Sequence, residues 1–211
     1  MDFDAMRSFV PLGFGHITAP GALDHILFLL VLAAIHRWTE WRQALVVVTA
    51  FTVGHSLTLA LAVLRPGLLP DPGIVEFLIP LTIVATGIEN IVSRGVWERR
   101  VRVSRRAALA GGFGLVHGAG FAGYLSEIFP GSIAAPLLGF NVGIELGQVV
   151  VLVGAFAALR MVDAGAKALL SRYSVPGTRD PGSLGLRLRV ATVSAIVVVM
   201  GGVWAVERAP W

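Results

Sequence analysis

The sequence predicts an all-α fold: a polytopic membrane helix bundle of about six transmembrane helices, a single transmembrane domain over residues 1–211 with both termini outside. Three observations predict it. The chain is 55% hydrophobic and only 14% charged, with mean hydropathy +0.78, a balance outside the range of water-soluble domains. Six apolar runs, at about 20–36, 43–64, 74–94, 107–128, 134–160 and 187–207, are close to or above the roughly 20 residues that cross a bilayer. They are continuous rather than alternating, which argues against barrel strands. Finally, every basic residue except Arg7, Arg65 and Arg208 falls in 37–42, 94–106 or 160–189. The positive-inside rule makes those three connections cytoplasmic, and an even number of spans puts both termini outside.

Composition also narrows the chemistry. The absence of Cys removes disulfides, iron–sulfur ligation, thiolate zinc sites and thiol nucleophiles. No basic stripe with interleaved aromatics points to nucleic acid, and no GxxxxGK[ST] occurs, so no nucleotide cofactor is expected. The first residues carry Asp2 and Asp4 without a basic stretch, which does not fit a cleavable signal.

The spans differ in what they carry. Span one begins after Pro20-Gly21, a helix-start signal. Asp24 and His25 therefore fall in its first turn, about 5–8 Å below the outer surface, with His16 at the outer mouth. The bland reading of Asp24 is a carboxylate on a helix N-terminus, which leaves the two histidines unexplained. Span two has Thr49, Thr52 and Ser56 on one face with His55 at its flank, about 18 Å deep and near the midplane. Interhelical hydrogen bonding would account for such a stripe equally well.

Span three repeats the pattern with Thr82, Thr86, Glu89 and Asn90, and Pro80 should kink it. Glu89 lies toward the cytoplasm, where it could simply pair with Arg94. Glu76 reads as an interfacial charge. Span four is a glycine-rich packing surface interrupted by His117, level with His55. In span five Asn141, Glu145 and Gln148 line one face, while Gly139, Gly143 and Gly147 repeat along another. Span six reads as scaffold.

Ionisable groups at membrane depth cost about 3 kcal/mol or more each, so a set of them marks function. Imidazole and carboxylate also hold borderline divalent metals. By depth the groups form a graded ladder: His16, Asp24 and His25 at the outer mouth, His55, His117 and Glu145 at the midplane, Glu89 and Asn90 toward the cytoplasm. Staggered partial sites suit conduction of an ion. The expected metal set is His25, Asp24, His55, His117, Glu145, Glu89, Asn141 and His16, with His55, His117 and Glu145 meeting in the bundle interior. The metal is substrate rather than resident cofactor, and no catalytic residue is assigned.

The chain resembles the HupE/UreJ family of bacterial membrane proteins, in particular the HupE/UreJ-2 branch. The resemblance rests on DHILFLL at 24–30, FTVGHSLTLALA at 51–62, VEFLIPLTIVATGIEN at 75–90, FGLVHGAGFA at 113–122 and FNVGIELGQ at 140–148. It covers spans one to five in order. It implies a secondary nickel or cobalt permease in a bacterial inner membrane, with His-Asp-His elements as ligands. One departure concerns His16: the family pattern has a His about five residues before the Asp-His pair, whereas seven residues separate His16 from Asp24.

Zinc is chemically as reasonable as nickel or cobalt, while all-oxygen magnesium or calcium sites fit poorly with the imidazoles. The four Met residues lie off the polar stripes, which argues against Cu(I). Proton coupling or the membrane potential remains as the driving force, the latter giving about 4.6 kcal/mol per 100 mV for a divalent ion at 2.3 per charge. The expected partners are the metal ion and membrane lipid, and a homo-oligomer is compatible. The competing readings are an intramembrane zinc hydrolase with Ser56 beside His55, and a non-transporting accessory bundle. One tight ligand shell favours the hydrolase, staggered ligands favour a permease, and mutually satisfied hydrogen bonds favour scaffold.

Overall fold

A computed structural model describes residues 3–65, 67–93, 99–128, 134–172 and 181–211. Seven α-helices follow one another: α1 (Phe3–Thr18), α2 (Leu23–Ala34), α3 (Trp41–Leu64), α4 (Pro72–Val92), α5 (Arg99–Ile128), α6 (Ala134–Arg172) and α7 (Pro181–Glu207), with one 3-10 turn at Trp38–Glu40. No strand occurs among the described residues. The class is as expected: an all-helical multi-pass membrane protein.

The sequence leads to six spans; by length and composition the described residues give four to five candidates. Four helices are long and apolar enough to cross a membrane, at Trp38–Leu64, Pro72–Val92, Ala134–Ala168 and Leu184–Glu207. A fifth crossing follows if α1 and α2, bent by 70° at their junction, are one broken span. Helix α5 contains the run expected at 107–128 and is 30 residues long, but its glycines and His117 dilute its hydropathy.

The first expected span, 20–36, is the larger correction. Pro20 lacks an N–H and its ring crowds the turn before it, so the chain leaves the helix after Thr18. The Ala22 N–H closes the turn on the Ala19 carbonyl at 2.9 Å, and the Ile26 N–H restarts the ladder on the Ala22 carbonyl at 3.0 Å. Pro20-Gly21 thus separates two helices rather than opening one. Helix α4 starts as its sequence suggests: Pro72 occupies the first turn and the Asp71 side chain accepts from the Gly73 N–H at 2.8 Å. It continues unbroken through Pro80 to Val92.

The helices associate mainly in pairs, α3 with α5, α1 with α6 and α4 with α7. Hydrocarbon gives helices no hydrophobic reason to associate, so close backbone approach through small residues carries the packing. A Cβ on Gly114 or Gly118 would strike the carbonyl of Phe51 or His55, and one on Gly139 or Gly143 the carbonyl of Met6 or Val10. Both series ascend together, so α3 is parallel to α5 and α1 is parallel to α6. Gly87 instead faces Ser194 and Val198 while Gly201 faces Pro80 and Val84, which makes α4 and α7 antiparallel. Buried Phe28, Val47, Phe51, Ile83, Phe140 and Ile144 fill the interior, while Val53, Leu57, Val153, Val199 and Val206 stay exposed on the outer faces, as lipid contact requires.

Candidate metal centre

The break between α1 and α2 brings residues from four helices to one point. Ile17 of α1 packs on Gly147, well inside α6, so α1 ends in the bundle interior. His16 is in its last turn. Asp24 and His25 are in the first turn of α2, directly after the break. Across from them stand His55 in mid-α3 and His117 in mid-α5, held level because Gly118 lies against the His55 backbone.

The imidazole centroids are 4.7 Å apart for His16 and His25, 5.6 Å for His16 and His55, 6.1 Å for His25 and His55, and 5.2 Å for His25 and His117. One ligand nitrogen from each of His16, His25 and His55 lies within 4.8 Å of the others. Nitrogens bound at about 2.1 Å in a tetrahedral shell are about 3.4 Å apart, so small side-chain rotations close the group on an ion. His25, His55 and His117 are buried, with His55 at 0% exposure. The rings of Phe28, Phe51, Phe121 and Phe140 wall the cluster.

Hydrogen bonds decide which nitrogen each ring can offer. The Asp24 carboxylate accepts both the backbone N–H of His25 at 2.8 Å and its ring Nδ1 at 2.9 Å. The bland reading of Asp24 is therefore half of its role: it satisfies a first-turn N–H and also fixes the ring. With Nδ1 protonated, the lone pair of His25 is on Nε2. The Thr82 hydroxyl donates its single proton to the Ile79 carbonyl at 2.7 Å and lies 2.9 Å from His117 Nε2. Nε2 of His117 is then the donor, and the lone pair is on Nδ1.

Those freed nitrogens have no protein partner. Among the described residues His16 Nε2, His25 Nε2, His117 Nδ1 and both nitrogens of His55 are buried without a hydrogen bond. Each such group costs about 1–3 kcal/mol, and their gathering at one point requires an explanation. The outer Nδ1–carboxylate bond is also the arrangement that orients a ligating imidazole.

The graded ladder is not what the structure contains. His16, Asp24 and His25 do not sit above the other histidines but among them, because α1 carries His16 inward along α6 before the chain breaks. Glu145 and Asn141 do not join His55 and His117. The glycine face of α6 is taken up by α1, which turns Asn141 and Glu145 to the opposite side, into a groove of about 660 Å³ lined also by Thr52, Ser56, Leu57 and Leu146. There the Ser56 hydroxyl donates to Asn141 Oδ1 at 2.7 Å and the Thr52 hydroxyl to Gln148 Oε1 at 2.7 Å. Glu89 lies 3.7 Å from Arg105 and 3.9 Å from Arg106, in a paired cluster away from the histidines. The alternative pairing with Arg94 lies outside the described residues.

Two polar contacts do not follow from the sequence, although Asn90 stands out in it. Asn90 donates to the Val31 carbonyl at 2.8 Å and accepts from Arg106 at 2.8 Å. Arg189, ion-paired with Asp163, donates to the carbonyls of Ala34 and His36 at 2.8–3.1 Å. Together they clasp the C-terminal end of α2, which His36 completes by bonding the Leu32 carbonyl at 2.9 Å. The start of α7 is therefore more than scaffold. Arg189 counts as loop charge in the sequence, and only its position at the edge of an apolar run hints at burial.

The family model described as HupE / UreJ protein matches residues 2–208. No curated protein and no solved structure matches the chain.

Proposed function

The chain belongs to the HupE/UreJ family, a transporter-type family associated with metal uptake, and from that premise we propose that it is a secondary permease of a bacterial inner membrane that takes up a divalent transition metal, nickel or cobalt before zinc. The ion is held by His16 and His25 through Nε2, by His55, and by His117 through Nδ1. Asp24 and Thr82 orient two of the rings. The observation that carries this reading is the set of buried imidazole nitrogens without partners, gathered where a membrane helix is broken.

That location supports transport over storage. Non-helical backbone at membrane depth is tolerated only inside protein or along a cavity, and secondary transporters place substrate at midplane sites built on discontinuous helices. A single enclosed site exposed alternately to each side replaces the ladder. The clasp on the far end of α2 closes that site from the side of the basic loops, which we assign to the cytoplasm on their charge.

One observation favours a second reading. Three imidazoles in one shell, with a carboxylate behind one of them, is also the ligand geometry of a zinc hydrolase. The deciding experiment uses purified protein in sealed proteoliposomes, with nickel, cobalt and zinc each offered outside. We expect saturable uptake by the native protein and none by His25→Ala. Metal binding with turnover of a lipid or amide substrate, but no movement of metal, would replace the permease with the hydrolase.

A further inference from the structure

The groove between α3 and α6 holds chemistry that the metal centre does not use. Glu145 is half-buried in it, between two polar rungs that tie the helices together: Thr52 to Gln148 on one side and Ser56 to Asn141 on the other. The rest of the lining is apolar, with Val53, Leu57, Ala60, Leu137, Val142 and Leu146, and Val53, Leu57 and Leu146 are exposed on the outer face. A carboxylate in such a place is costly unless a cation joins it. Among the described residues Glu145 makes no ion pair.

The other titratable groups on the packed elements face elsewhere. His55 of α3, His16 of α1, Asp24 and His25 of α2 and His117 of α5 point into the metal centre. Asp4 and Arg7 are exposed at the far end of α1, Arg42 lies over the Trp41 ring at the start of α3, Arg160 and Lys167 are exposed about four turns or more along α6 from Glu145, and Asp163 and Arg189 pair with each other. The cation open to Glu145 is therefore one that needs no further ligand, a proton.

We infer that Glu145 is a proton-binding site, separate from the metal centre, whose loading is coupled to metal movement. The inference rests on the permease reading. The coupling runs through the Thr52 hydroxyl, which has one proton to give. Gln148 Oε1 takes it at 2.7 Å, and the Glu145 carboxyl lines the same groove as Thr52. Protonated Glu145 leaves Thr52 to Gln148 and the rung stays closed. Ionised Glu145 draws the Thr52 hydroxyl to itself, because hydrogen bonds to a charged acceptor are the stronger ones, and the rung opens. Thr52 is one helical turn from His55, and α6 carries α1 with His16 on its opposite face. The helices that the rung joins are thus the ones that set the separation of His16 and His55.

Two measurements on the full-length protein test this. A hydrophobic carbodiimide attacks protonated carboxyl groups in apolar surroundings, so mass spectrometry after treatment in liposomes should find Glu145 modified, less so as pH rises. In proteoliposomes clamped at zero potential, a gradient of about one pH unit, acid outside, should raise nickel accumulation about tenfold for each proton carried in. Glu145→Gln should lose that response. Absence of modification at every pH, or a pH-driven accumulation that survives in Glu145→Gln, overturns the inference. Modified Glu145 in a protein that moves no metal under any gradient instead defeats the permease reading, and the coupling falls with it.

Discussion

At the scale of single residues, the histidines are sorted by what stands behind each ring. His25 has a carboxylate and His117 a hydroxyl, and such outer partners are typically worth 10–100-fold in metal affinity. We therefore expect Asp24→Asn to weaken nickel binding by about 10–100-fold, with Thr82→Val at the weak end of that range and His25→Ala removing binding altogether. Calorimetric titration of the three purified variants checks the order, and an Asp24→Asn protein that binds like the native one would show that the carboxylate only satisfies the helix start. Ser56→Ala loses a hydroxyl whose one proton is shared between the Thr52 carbonyl and Asn141, about 1 kcal/mol, and should slow uptake only mildly. The imidazoles were visible in the sequence because an ionisable group in an apolar run stands out against its neighbours. Their partners were not, because the Asp24 bond depends on ring rotation and the Thr82 bond joins helices 35 positions apart.

At the scale of elements, the informative error concerns α1. Pro20-Gly21 reads in the sequence as the beginning of a span, which leaves Phe3–Thr18 outside the six apolar runs. Such a pair signals a break between helices as much as a start, and only the packing of α1 along the glycines of α6 decides between them. The same packing explains Glu145: once α1 occupies the glycine face, the polar face of α6 has only the groove left. Gly143→Val should thus be among the most damaging single changes outside the metal centre, since a side chain there strikes the Val10 carbonyl and the Phe14 N–H. We expect loss of folded protein in a detergent melting assay, with Gly154→Val, where a Cβ meets nothing, close to native. Arg189→Ala leaves the Ala34 and His36 carbonyls uncapped and Asp163 unpaired at the end of α2. It should destabilise by a few kcal/mol, read in the same assay.

At the scale of the whole molecule, the absence of native cysteine makes topology directly measurable. With the basic loops inside, Thr39→Cys should be shielded from an impermeant thiol reagent added to intact cells, and Leu68→Cys should react. Reversed labelling would invert the bundle and the direction assigned to the α2 clasp. The bundle class and the charge asymmetry were readable from the continuous apolar runs and from where the basic residues fall between them. The convergence of the histidines was not, because depth computed along a straight helix has no meaning for a chain that breaks halfway.

The pairing of helices has a mechanical consequence. His55 and His117 belong to one glycine-zippered pair, α3 with α5, and His16 belongs to another, α1 with α6. In the proposed permease the ion would therefore sit on a seam between these two pairs, which meet there over a few polar rungs instead of interlocked backbones. On the proposed function an occupied centre would rivet the two pairs and an empty one would leave them free to hinge, so the cargo itself would govern how stiff its carrier is. Added nickel should then raise the melting temperature of the native protein, with about 2.7 kcal/mol of stabilisation at a hundredfold excess over Kd, and should leave His25→Ala unmoved.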